Sequence, residues 1–117
     1  MNWIDMKTVL ILTTIFATSH LMASDDLKLK CTALHNLDKV METEVNLKQT
    51  DKEKVIGEFE GFKFMISSKG GHLVEIQSLN IEEPSRTYAT GKLNSEDSYV
   101  ELSVWNRNYI LDFRCTP

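Results

Sequence analysis

The chain has 117 residues, with 13 Lys and Arg against 17 Asp and Glu, a net charge of −4, and two cysteines. That length fits one domain, and the mild acidity argues against nucleic acid or an anionic membrane as the main partner. No basic run interleaved with aromatics, internal repeat or proline-rich linker changes that view.

Taken in chain order, the first element reads as an export signal over residues 1–23. In "MKTVLILTTIFATSHLMAS", Lys7 is the positive region and Val9 to Thr18 the apolar one. Ala17 with Ser19 fits the small-x-small cleavage rule, while Ala23 or Ser24 lies nearer the polar jump at Asp25 and Asp26. An acid in "MNWID" precedes the lysine, so Met6 reads as the true start. The apolar run is well short of the ~20 residues a spanning helix needs. The expectation is a mature domain over 24–117 that is periplasmic or secreted, without a membrane anchor.

Export bears on the cysteines. In an oxidising compartment, two cysteines with no third to compete pair with each other, which predicts a Cys31–Cys115 disulfide fastening the first strand to the last.

The remaining elements show period two, broken at turn residues. "LKLKCTA" places Leu27, Leu29, Cys31 and Ala33 on one face. "LHNLDKVMETEVNL" carries both helical and strand spacing, and reads as a hairpin turning at Asn36 to Lys39. "FKFMISS" directs Phe62, Phe64 and Ile66 inward, and "SSKGGH", "EEPS" and "NSED" are turn chemistry. "SYVELSVW" and "YILDFRC" form a hairpin about Arg107-Asn108, pairing Val104 with Leu111, Leu102 with Phe113 and Val100 with Cys115 inside. Trp105 with Ile110 and Glu101 with Arg114 fall outside. Both cysteines lie on the core faces of their strands. The fold class expected is all-β, a small antiparallel barrel or sandwich of seven to eight strands.

Candidate chemistry is sparse. His35 and His72 stand apart from further metal ligands, so no metal site and no cofactor is expected. Glu42 with Glu44, and Glu58 with Glu60, form carboxylate pairs of a kind that solvated strands carry routinely. "SKGGH" offers backbone amides to an anion or, more simply, makes a hairpin turn. The outward face of the last hairpin is the candidate binding surface: Tyr99, Trp105 and Ile110, with Arg107 at the tip. Aromatics and Arg are enriched at binding hot spots. Tyr88 adds to that surface or belongs to the core.

The string Cys31 … Ser85-Arg86-Thr87-Tyr88-Ala89 … Trp105 … Arg114-Cys115 resembles small exported bacterial proteins that have no assigned activity. The plan also resembles the periplasmic inhibitors of C-type lysozymes, small antiparallel barrels whose first strand is bridged by a disulfide to the C-terminal end. Their motif places a Ser-Gly pair before a Tyr, then a Trp, then Lys-Gly. Here Arg86 follows Ser85, the Ser-to-Tyr spacing is shorter, and Asn106-Arg107 follows Trp105. The resemblance therefore implies a layout and transfers no inhibitory residue. The functional expectation is a non-catalytic binding domain for a protein or envelope component. A periplasmic lysozyme inhibitor is the sharper alternative, and an envelope hydrolase or small-ligand carrier the different-class ones.

Overall fold

A computed structural model describes residues 26–117; the expected export signal and its expected cleavage site lie outside the described residues. Eight strands follow one another: β1 (Leu27–His35), β2 (Asp38–Leu47), β3 (Lys54–Phe59), β4 (Phe62–Ser68), β5 (Leu73–Asn80), β6 (Ser85–Lys92), β7 (Val100–Trp105) and β8 (Ile110–Thr116). They form two four-stranded antiparallel sheets, ordered β2-β1-β8-β7 and β3-β4-β5-β6, and the described residues contain no helix.

Most neighbours in the sheets are also neighbours in sequence, joined by short turns. The ambiguous segment after Leu34 is a hairpin whose turn, Asn36-Leu37, has φ of 51° and 73°. Left-handed backbone at both central residues matches the twist of the flanking strands. Glu60-Gly61 repeats that geometry between β3 and β4, with φ of 43° and 85°. Glu60 is thereby a turn residue and not a strand partner of Glu58. The last hairpin has the expected register, with Val104 opposite Leu111 and Trp105 opposite Ile110. Its turn closes where the Asn106 amide donates to the Tyr109 carbonyl at 3.0 Å.

The non-local step is β1 against β8, which sets Cys31 directly opposite Cys115. These two form the disulfide, with Cα atoms 4.1 Å apart and a sequence separation of 84. The apolar faces of both sheets meet in one core that includes Phe64, Ile66, Val74 and Ile76 from one sheet and Leu102, Leu111 and Phe113 from the other. The Phe64 and Phe113 rings lie 4.8 Å apart. At one end His35, Phe59, Phe62 and Tyr109 extend the core as an aromatic cluster, with centroids 5.3 to 5.7 Å apart.

The sheets also approach along two edges that carry no strand pairing, β2 beside β3 and β6 beside β7. Glycines permit both approaches. Gly57 lies under the Met41 side chain, and a Cβ on Gly91 would sit 2.9 Å from Val100 Cβ.

One face departs from simple alternation. Met65, Ser67 and Gln77 point away from the core side of β4 and β5, yet all three are buried. The β2–β3 connection covers part of that face, tied down where the Ser68 amide donates to the Asp51 carbonyl at 2.9 Å. Arg86 on β6 also reaches Glu53, just ahead of β3, at 3.4 Å. These partners belong to opposite edges of the sheet, so their ion pair crosses above the two central strands.

Candidate functional site

The outer face of the β2-β1-β8-β7 sheet carries the residues that the sequence singles out. Trp105 ends β7 and is 73% exposed; Ile110, directly opposite, is half-buried beside it. The reason is register: Val104 and Leu111 occupy the core positions, so their neighbours must face out. Arg107 sits exposed in the turn beyond them. Next along the sheet, Asn36 grips the start of β8 from both sides. Its amide donates to the Ile110 carbonyl at 2.8 Å and its Oδ1 accepts from the Ile110 amide at 2.9 Å. Leu37 follows on that turn, 76% exposed. Trp105, Ile110 and Leu37 thus line one end of the sheet, with Arg107 at its tip.

Tyr99 stands apart from this group. It immediately precedes β7, so the six-residue strand puts it about 20 Å from Trp105. The intervening outward positions are polar: Ser103 opposite Asp112, and Glu101 opposite Arg114. The Arg114 guanidinium lies over the Tyr99 ring at 4.0 Å from its centroid. Tyr88 belongs to neither place proposed for it. It lies on β6 in the other sheet, opposite Gln77 and 65% exposed.

Leu37 was not singled out in the sequence, and the signal for it is conformational. A large aliphatic residue with φ of 73° carries backbone strain that glycine or asparagine would avoid. The hairpin turn requires that backbone conformation, and what is unusual is that it holds a large apolar side chain out in solvent.

The same end of the molecule collects the Asn36-Leu37, Glu60-Gly61, Ile81–Pro84 and Asn106–Tyr109 turns. Its exposed charges include Asp38, Glu60, Glu82 and Glu83, with Lys39 and Arg107 of opposite sign. Burial, with a smaller contribution from the charge of Glu83, raises the Tyr109 hydroxyl above its ordinary pKa of 10.0.

The carboxylate pairs resolve into surface ion pairs. Glu42 meets Lys30 at 2.6 Å and Lys39 at 2.8 Å. Those contacts, Lys30 first, hold its carboxyl down at about 2. Glu58 meets Lys63 at 3.7 Å. The glycine pair of "SKGGH" is a hairpin turn with its amides engaged: Gly70 donates to Ser68 Oγ at 3.3 Å and Gly71 to Gln49 Oε1 at 2.9 Å. Among the described residues, no three His, Cys, Asp or Glu side chains are grouped to hold a metal. No protein-family model matches the chain, and no curated protein or solved structure matches it.

Proposed function

We propose that the chain is an exported, non-catalytic binding domain that presents the Trp105 end of the β2-β1-β8-β7 sheet to a protein partner. The observation that carries this reading is the exposure of Trp105, 73%, beside Ile110 and the strained Leu37. Large rigid apolar side chains of this kind bring contact area at small entropic cost, and an Arg at the rim adds a charged anchor. The Cys31–Cys115 disulfide supports the exported setting, because such bridges persist in oxidising compartments. The fold fits a flattened eight-stranded barrel opened along the β2/β3 and β6/β7 seams. Its interior is filled by Phe64, Phe113, Ile66, Ile76 and Leu111, which favours recognition on the surface over carriage of a ligand inside.

The acidic balance of this end favours a sharper version in which the partner is a basic protein. A C-type lysozyme is a partner of that chemistry, and the layout resemblance points the same way. The test is capture from an envelope extract, run beside direct binding to a C-type lysozyme, with wild type, Trp105→Ala and Tyr99→Ala. The expected result is capture that fails for Trp105→Ala and persists for Tyr99→Ala. Truncating a central aromatic anchor commonly costs about 2 kcal/mol or more of binding. Undiminished capture by Trp105→Ala would refute this surface.

A further inference from the structure

The outer face of the β3-β4-β5-β6 sheet holds a cleft of about 710 Å³, lined among others by Lys52, Glu53, Ser67, Lys69, Glu75 and Gln77. Its floor is unusual for a sheet surface. Ser67 and Gln77 are only 3% and 4% exposed, and Ser67 Oγ and Gln77 Oε1 have no hydrogen-bond partner in the protein. Gln77 Nε2 donates to Glu75 Oε1 at 2.9 Å, which fixes the amide and leaves its oxygen as a bare acceptor. A buried acceptor without a partner is costly, and native structures keep few of them. Two on the floor of one cleft call for an incoming group.

The walls hold that floor in place. The β2–β3 connection is clamped to the β4–β5 turn, with Gln49 and Gly71 exchanging hydrogen bonds of 3.0 and 2.9 Å. The Glu53–Arg86 ion pair closes the other side. Val55, Met65, Gln77 and Tyr88 form one row across the sheet, so the exposed Tyr88 is the neighbour of Gln77 on the adjacent strand, at the margin of the cleft.

The geometry points to a saccharide-binding site in this cleft. A ligand here must donate to Gln77 Oε1 and either give or take a hydrogen bond at Ser67 Oγ. Around these lie Lys52, the Lys69–Glu75 ion pair at 3.7 Å, and Glu53, which pairs with Arg86, so charges of both signs border the floor. A hydroxyl both donates and accepts, so a ring bearing several of them matches this mixed set. An anion would face two carboxylates and a bare amide oxygen, and a cation would face two ammonium groups. Tyr88 supplies a flat apolar surface on which the C–H face of a sugar ring can lie. The site lies on the opposite sheet from Trp105, so it stands or falls independently of the protein-binding surface.

The test is an NMR titration of the ¹⁵N-labelled, disulfide-bonded exported protein with maltotetraose, cellotetraose and chitotetraose, and with triglycine for comparison. At least one tetrasaccharide should shift the Gln77 side-chain amide and the Gly70 and Gly71 backbone amides saturably. Gln77→Leu and Tyr88→Ala should each weaken that binding about ten-fold or more, a difference of about 1.4 kcal/mol. Tyr88 is exposed, so its variant remains informative if Gln77→Leu fails to fold. Ser78→Ala removes the other unpartnered hydroxyl, which lies outside the cleft, and should leave binding unchanged. The assignment is overturned if no tetrasaccharide shifts these resonances, if triglycine alone saturates them, or if Tyr88→Ala binds as wild type does.

Discussion

Replacing Cys31 and Cys115 together by Ala removes the covalent link across the one strand pair that sequence neighbours do not supply. The two cysteines are fully buried and directly opposed, so the substitution leaves the β1–β8 hydrogen bonds available and deletes two sulfur atoms from the core. The main effect falls on the unfolded chain. With a sequence separation of 84 between the bridged positions, the loop-closure relation gives about 4.5 kcal/mol at 25 °C, and the lost packing adds to it. Each kcal/mol shifts the melting temperature of a domain of this size by about 4–8 °C, so a fall of about 20 °C or more is expected. Urea denaturation followed by circular dichroism reads both quantities that matter. Stability should drop by several kcal/mol, and the m-value should rise because the unlinked denatured chain is more expanded. Reduction of the wild-type protein should reproduce the result. A loss below about 1.5 kcal/mol with an unchanged m-value would refute the reasoning, and would place the stability of the β1–β8 junction in its pairing and packing alone.

Other expectations follow from particular side chains. Trp105→Ala should change folding stability by no more than about 0.5 kcal/mol, whereas Phe113→Ala, fully buried against Phe64, should cost about 3–5 kcal/mol in the same urea assay; equal costs would show that Trp105 is packed. Glu42 should titrate at about 2 in carboxyl-detected NMR, below its ordinary 4.5, and Lys30→Ala should raise that midpoint. Because its folded pKa is depressed, its ion pairs contribute stability above about pH 4.5 that is lost as the pH falls through about 2; an unshifted midpoint would remove this contribution. Gly91→Ala should destabilise by about 1–3 kcal/mol, since its Cβ would meet the β-branched Val100 across the β6/β7 seam. A neutral result would mean that the seam opens freely.

Although they missed the turn at Glu60-Gly61, alternation and turn chemistry were enough to locate the turns about Asn36-Leu37 and Gly70-Gly71 and the register of the last hairpin. Each of these is decided over a few residues, by which side chains share a face and which backbone conformations a turn requires. The inward placement of Cys31 and Cys115 was legible for the same reason, and with it the disulfide. Period two reports the face of a strand on which a residue lies, but not what covers that face. Tyr99 and Trp105 both point outward, yet the length of β7 and the polar rows between them separate the two into different surfaces. Tyr88 joins neither, because strand order assigns β6 to the other sheet. The buried Ser67 and Gln77 were beyond sequence reasoning altogether. They share a cleft with Gln49, Lys52 and Glu53 of the β2–β3 connection, and Glu53 pairs with Arg86, 33 residues away; only tertiary packing brings such partners together.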